Sequence, residues 1–592
     1  MPNPQGADSS PSTSKKLQTW ATWLVAWVPA LAMLLWLNQY VMPLPYHDDW
    51  EFVSQYQHWT EGSFDLKDLF RPINGQPLAV PKMIFFAALK WNNGDLSILP
   101  YLSWLMSVGI AVGLWWLSRS WRKELAGKGW YLVGLWNLGI FSPAQEGTWF
   151  WNCTFHTYIP GFCLVAGVVV MLGGLPVWVR LALSGLASAV ATFSFGAGFV
   201  VPWLLMLLIL SQMFGPQRRY RLLHLGVWAL LAAGLAYLAL FGFPESGGGG
   251  GLGDQLARQA GRPLLVGSYW LLLLGSTLAD AAPFEPVTFG MVMGGSLLLL
   301  GAVAAVKLIR RGELSQAMPW LVFGAWAAGN AVLISIVRLN NLLDTALAPR
   351  YATHMHFFVA GAVGLMAAAF WVRGQFGRLG LPAGAAVLIV VQAFAWGDGQ
   401  QMMATQYRRM QQDRAVLSFV KILEPQPGLI WAPVAPSDTV NVAKFMSAHG
   451  LIRGLKFMDS LDPGSYRQGP PLPEKWGSWK LVRDESGIFT ATGTCGSSKH
   501  MDVLPDLVVL TVPDATGAER IAHLTKPLLP EDFERRVAAL RLHPDHYFGW
   551  SLQLPPGTPE SVKAYGFYGE KYHLRLIPKA QAAATGAALS KQ

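Results

Sequence analysis

Apolar runs of about 20 residues recur along roughly the first two thirds of the chain, and they restrict its fold more than any other feature. Residues 17–41 form the first run. About 20 helical residues at 1.5 Å each cross the roughly 30 Å hydrocarbon layer of a bilayer. With 592 residues, 52% hydrophobic, 14% charged and 27 Trp, the chain is too apolar for an ordinary water-soluble protein and too long for one domain. The sequence predicts an α-helical polytopic membrane protein. The formal charge of +10 would point to nucleic acid in a soluble protein. Here many Lys and Arg stand in short links between apolar runs, so they are topology signals and no nucleic-acid partner is expected.

Lys15 and Lys16 place the tail 1–16 in the cytoplasm, and without a small-residue cleavage site the first run is expected to remain as an anchor. A membrane domain over 17–397 follows. Its first outer loop, 42–97, carries Trp59, Phe64, Leu69, Phe70 and the apolar run 83–89, which predict short interfacial helices. Further spans are expected at 98–117 and 130–141, three more up to 213, and then at 222–243, 291–306, 320–337, 351–371 and 381–396, about eleven in all. The run 264–278 disturbs the alternation, because a crossing there would leave Lys307, Arg310 and Arg311 outside. A re-entrant or interfacial hairpin is expected instead. The five glycines 247–251 read as a flexible linker, since they follow no strand and lack the Lys-Ser/Thr of a phosphate loop.

Residues 398–475 read as a helical and mixed linker, in which 400–423 form a helix leaving the membrane. Strand alternation at 479–494, 507–512, 541–554 and 562–577 then predicts an extracytoplasmic α+β or β-sandwich domain over 476–580. The tail 581–592 is expected to be disordered. Cys153, Cys163 and Cys495 show neither CxxC spacing nor a nearby His pattern, so no zinc site or disulfide framework is implied.

Chemistry concentrates in three places. His47-Asp48-Asp49-Trp50-Glu51 follows the first run, with Pro43 and Pro45 ending the helix before it. Paired carboxylates at a membrane face can deprotonate a hydroxyl, and burial against Trp50 would raise a carboxyl toward a usable base. The plain alternative is a helix-end cluster that faces solvent or pairs with Arg. Asp49-x-Glu51 is also a pattern that Mg2+ or Mn2+ accepts. The segment 142–158 holds Gln145, Trp149, Trp151 and His156, whose indoles can stack on sugars or anchor at the interface. Arg338 and Arg350-Tyr351 end and open successive spans, so two guanidinium groups can face an anionic headgroup, although Arg338 also suits simple snorkelling. Lys82, His58 and Arg71 are further candidates, more ordinarily solvated. His354 and His356, two apart on a helix, point to different sides, which argues against a shared metal site.

The arrangement resembles the GT-C superfamily of integral-membrane glycosyltransferases that use polyprenyl-phosphate sugars, in the bacterial form with a C-terminal β-rich domain. Asp48 and Asp49 opening a long outer loop with interfacial helices, about eleven spans, Pro143-Ala144-Gln145 with Trp149, and Arg338 followed by Ala348-Pro349-Arg350-Tyr351 carry the resemblance. It covers most of the chain on short motifs. It implies transfer of a sugar, with inversion, from a polyprenyl-phosphate donor to a glycan, lipid or protein acceptor at a bacterial inner membrane. Asp49, with Asp48 as alternate or partner, would be the base, and Arg350, Tyr351 and Arg338 would hold the donor phosphate. His47, Glu51, Gln145, Trp149 and His156 would surround the substrate. Adjacent Asp48-Asp49 departs from the Asp-x-Asp of some relatives, which leaves Asp49-x-Glu51 as the local metal pattern. Trp476, Trp479, Trp550, Tyr565 and Tyr568 can stack on a glycan or fill a sandwich core. The rival readings are a glycan polymerase or ligase using a pyrophosphate-linked donor and a polyprenyl-lipid flippase or transporter. A transporter predicts paired halves, and the sequence shows no internal repeat.

Overall fold

The first apolar run becomes helix α1 (Thr13–Tyr40), followed by α2 (Asp49–Thr60), α3 (Leu66–Phe70) and α4 (Ala79–Trp91), the short loop helices that the apolar faces predicted. This computed structural model describes residues 13–580 apart from 74, 120–129, 215–219, 242–251, 280–284, 340–341, 372–379, 424–428, 430–435, 453–454, 475–476, 485–487, 498–503, 528–546, 557 and 570–571. The glycine run 247–251, Trp476 and the tail 581–592 therefore lie outside the described residues. Next come α5 (Ile98–Leu117), α6 (Trp130–Ile140), α7 (Glu146–Phe150), α8 (Tyr158–Leu172), α9 (Val177–Thr192), α10 (Val201–Phe214) and α11 (Leu222–Phe241). After them stand α12 (Leu252–Ala260), α13 (Pro263–Ala279), α14 (Pro286–Arg310), α15 (Leu314–Arg338) and α16 (Pro349–Met366). α17 (Gly380–Ser418) runs 39 residues, and α18 (Pro436–Ala448) closes the series.

Among the described residues, eight segments are long and apolar enough to cross a membrane: Trp23–Tyr40, Ile98–Leu117, Asn152–Leu172, Gly196–Phe214, Leu222–Ala239, Pro286–Arg310, Leu314–Arg338 and Pro349–Phe370. The architecture is that of a helical multi-pass protein, with eight full-length spans among the described residues against the eleven expected. α9 has 16 residues and so reaches only about 24 Å. The expected spans 130–141 and 381–396 lie in α6 and α17, which begin directly after residues outside the described ones. The run 264–278 is a correction of another kind: it forms one uninterrupted helix, α13, with no residue inside it where the chain turns back.

The chain divides into two compact units. Met1–Val41, Gly62–Ala87 and Ser97–Met403 form the first. Apolar side chains cover its outside, as Leu24, Val25, Val28, Leu31 and Leu35 on α1 and Leu222, Leu223 and Leu230 on α11 illustrate. Such a surface suits lipid. The segment Pro349–Phe370 is 83% buried against 22% for Leu222–Ala239, which makes α16 the central helix and α11 a peripheral one. α13 and α14 meet through glycine, since a Cβ on Gly275 would stand 1.9 Å from the Gly290 carbonyl oxygen. That is the small-residue packing of helices in a bilayer.

Met42–Glu61, Ala88–Leu96 and Ala404–Gln592 form the second unit, so the stems of the outer loop group with the C-terminal region. Its strands are β1 (Arg467–Gln468), β2 (Trp479–Arg483), β3 (Phe489–Ser497), β4 (Leu507–Pro513), β5 (Glu519–Thr525), β6 (Tyr547–Gln553), β7 (Lys563–Tyr568) and β8 (His573–Ile577). One sheet has the order β1-β8-β7-β4-β5 and the other β2-β3-β6. Trp479, Ala491, Trp550, Val508, Leu510 and Ala564 fill the space between them. Leu507, Val509 and Phe567 on the opposite face of the larger sheet pack against Ala415, Val416 and Phe419. β4 is thus covered on both faces, which is why Leu507-Val508-Val509-Leu510 reads as a continuous apolar run. Trp479, Trp550 and Tyr565 are core residues, so their rings are not glycan platforms. The loop stems are fixed by α2 packing on α18, by the Leu96 amide donating to the Pro43 carbonyl at 3.1 Å, and by Gly94. Gly94 has φ +77, and a Cβ there would lie 1.6 Å from the Leu451 carbonyl oxygen.

Candidate functional site

The acid cluster opens α2. Asp49, Phe52, Val53 and Tyr56 follow the spacing i, i+3, i+4, i+7 and form the buried side of the helix. Asp49 is 0% exposed, and its carboxylate accepts the Tyr46 N–H at 2.9 Å. Asp48 is more accessible and pairs with His47, Nδ1 to Oδ1 at 2.8 Å. His47 has φ +49, a left-handed conformation that few residues other than glycine adopt, in the turn that carries the Tyr46 amide to Asp49. Farther along α2, burial raises the Tyr56 hydroxyl above its usual range.

Glu51 lies two residues from Asp49 on the helix and so points to a different side, partly exposed. Asp49 and Glu51 do not converge into the metal pair that their spacing suggested. Among the described residues, no three His, Cys, Asp or Glu side chains group so that they could hold a metal ion.

A second constellation stands in the first unit. Arg338 ends α15, Arg350 is the second residue of α16, and both are exposed. The Arg350 guanidinium lies 5.2 Å from the Tyr351 ring. Buried Tyr269 of α13 meets the Thr345 hydroxyl at 3.2 Å and lies within electrostatic reach of Arg350, Arg338 and Tyr351. Gln259 fixes the link after α15 by donating to the Leu339 carbonyl at 3.0 Å. Both arginines thus act electrostatically on the Tyr269 hydroxyl. Tyr269, Thr345 and Gln259 are not among the residues that the sequence singles out, because each becomes a neighbour of the arginines only through the packing of separate elements. Two exposed guanidinium groups beside a tyrosine offer the planar, multiply donating surface that phosphate oxygens need.

The segment after α6 behaves differently. Gln145 is buried, and its Nε2 donates to the Gly139 and Ile140 carbonyls at 3.1 and 3.3 Å. Trp149 is 0% exposed, donates Nε1–H to the Ser142 carbonyl at 3.0 Å, and lies between Phe141 and Tyr158 at centroid distances of 6.4 and 5.2 Å. Both were expected to meet substrate. Both instead fasten this loop, since a ring enclosed by protein has no face left for a sugar. His156 bonds to the Cys153 carbonyl and packs on Phe195 at 5.1 Å. His354 lies against Phe195, stacked at 5.3 Å, while His356 lies against Gly139, so the two histidines of α16 do diverge. Lys82 is buried and donates to the Asp68 and Arg71 carbonyls at 2.8 and 2.7 Å, which ties α4 to the end of α3.

The chain matches no family model and no curated protein.

Proposed function

We propose that this chain is a glycosyltransferase of the bacterial inner membrane, N-terminus cytoplasmic and C-terminal region extracytoplasmic, that uses a polyprenyl-phosphate sugar. The observation that carries the reading is the Arg338, Arg350 and Tyr269 neighbourhood: two exposed guanidinium groups at the ends of helices in an apolar-surfaced unit. A lipid phosphate presents two things at once, an anionic head for Arg and a hydrocarbon tail for an apolar exterior. Energy for sugar transfer away from the cytoplasm has to arrive on such a membrane-borne donor.

In this reaction the acceptor hydroxyl oxygen attacks the anomeric carbon, the bond from that carbon to the phosphate oxygen breaks, and polyprenyl phosphate leaves with the bonding electrons. The configuration inverts. Asp49 takes the hydroxyl proton, with Asp48 as its alternate. Arg350, assisted by Arg338 and Tyr351, neutralises the charge that grows on the leaving phosphate. The Tyr46 amide orients the Asp49 carboxylate, and because that group is enclosed in this state, proton transfer requires the turn 46–49 to open to the acceptor, which the more accessible Asp48 does not need.

The test uses full-length protein in nanodiscs with a radiolabelled polyprenyl-phosphate sugar and a panel of hydroxyl acceptors. Asp49→Asn is expected to lower kcat by about 10²- to 10⁴-fold, the usual contribution of a general base. Arg350→Ala should chiefly weaken the use of donor. Undiminished transfer by both Asp49→Asn and Asp48→Asn would remove the mechanism.

A further inference from the structure

Two cavities of about 20 Å³ each lie inside the first unit and share His356, Ile140 and Ala360 in their walls. Ser107 and Gln145 line the first, and Gly139 and Gln392 line the second. The side chains of Ser107, Gln145, His356 and Gln392 are more than nine-tenths buried, and Thr157, Tyr158 and Thr353 add hydroxyls to the first wall. Ser107 Oγ, Gln145 Oε1, His356 Nε2 and Gln392 Oε1 find no partner among the described residues. The other ring nitrogen of His356 faces Gly139, since a Cβ there would lie 2.9 Å from Nδ1. Gly139 belongs to the second wall, so the imidazole touches both spaces.

A buried polar atom without a hydrogen bond is costly, and native interiors rarely leave one so. Water fits these spaces, because one molecule needs about 10–15 Å³ and two to four polar partners. Neither wall contains a carboxylate that would hold a cation. A neutral imidazole offers one donor and one acceptor, enough to hold a water on each side. We propose that His356 is the centre of an internal hydration site, with one water in each cavity, linking Ser107 and Gln145 through the ring to Gln392. The site lies within the central helix, six residues or about 9 Å beyond Arg350. It would let protons exchange along a polar track inside an apolar unit, and it stands independently of the glycosyl-transfer reading.

Hydroxyl-radical footprinting of the full chain in nanodiscs tests it, because radicals generated from bound water label the side chains beside it. Tyr158 and Phe357 of the first wall and Trp136 of the second should label about tenfold faster than Trp228 and Phe323, which are as deeply buried and lie in neither wall. His356→Phe should bring all three down to the control rate, and His356→Gln should keep them high. Control-level labelling in the unaltered protein would overturn the proposal, as would fast labelling that persists in folded His356→Phe. Should His356→Phe not fold, Gly139→Ala replaces it. Its methyl group would displace the imidazole and slow Trp136, and an unchanged Trp136 rate would remove the second water.

Discussion

The two units place their polar atoms in opposite positions. In the first, leucine and valine face outward while Asn137, Arg180 and Trp228 turn inward and bond to backbone carbonyls: Asn137 to Ala26 at 2.8 Å, Arg180 to Met171 at 3.0 Å and Trp228 to Pro202 at 2.8 Å. In the second, Val508, Leu510 and Trp550 are inside, while Arg520 and Lys563 pair with Asp514 and Glu519 at the surface. The difference follows from the solvent. In water, burying hydrocarbon drives assembly. Within lipid that drive between helices is absent, and close backbone approach and internal hydrogen bonds replace it.

The sharpest way to break this contrast is to enlarge a glycine in the first unit. Gly275→Leu forces a side chain into the Gly290 backbone, where a Cβ alone would sit at 1.9 Å. Backbone cannot move aside as a side-chain tip can, so the cost should exceed the usual overpacking penalty of about 3 kcal/mol. Thermal unfolding of detergent-solubilised protein should show a drop of at least about 4 °C, or no folded material. Gly226→Leu is the control, because nothing lies within 4 Å of its added Cβ and the position faces outward. A tolerated Gly275→Leu beside a damaging Gly226→Leu would reverse the inside and outside assigned to this unit.

Trp550→Ala probes the other unit by the opposite route, removing volume from a core that burial holds together. Trp550 is 1% exposed and packs on Trp479 at 6.3 Å. Its truncation should cost about 3–5 kcal/mol, read as a lowered urea midpoint of the sheet signal in circular dichroism. Leu31→Ala, a truncation on the exterior of the first unit, should change stability by well under about 1 kcal/mol. Equal losses at the two positions would show that both units bury hydrocarbon in the same way.

Hydropathy made most of the first unit legible, because a run such as 98–117 must be a helix if its backbone is to be satisfied in lipid, and α5 has those ends. Helix lengths were less legible where polar residues sit inside a helix. α17 continues from the run 381–396 through Gly397, Gly399, Gln400 and Gln401 to Ser418, and the glycines that read as an end lie inside it, Gly399 where an added Cβ would stand 2.4 Å from the Ala144 amide nitrogen. The acid cluster was readable as a helix start, but the sequence left Asp48 and Asp49 almost equivalent. Their difference lies in the helical periodicity: Asp49 is i, i+3, i+4, i+7 with Phe52, Val53 and Tyr56, the buried side of α2. Gln145 and Trp149 misled for the opposite reason. Residue type suggested a ligand, while their partners are carbonyls of the preceding helix and turn, which no pattern of side chains reveals.

The smallest effect concerns surface charge, where the second unit should show a pH dependence. Asp514 sits in the β4–β5 turn and accepts hydrogen bonds from the Thr516 hydroxyl and amide, from Arg520 and from the Ala518 amide, while Gly517 supplies φ +82. The Thr516 hydroxyl first, and then the Arg520 guanidinium, hold this carboxyl well below the usual carboxylate range. A group whose folded pKa is depressed stabilises the fold above its unfolded pKa, about 3.9 for Asp, and loses that contribution as pH falls toward the folded value. Asp514→Asn should therefore lower Tm slightly at pH 7, by no more than a few degrees because the group is exposed. The gap to the parent should narrow steadily below about pH 4 as the parent loses its charge. A gap that stays constant down to pH 2 would mean that Asn fails by turn geometry alone, and that the charges outside this unit contribute nothing to its contrast with the first.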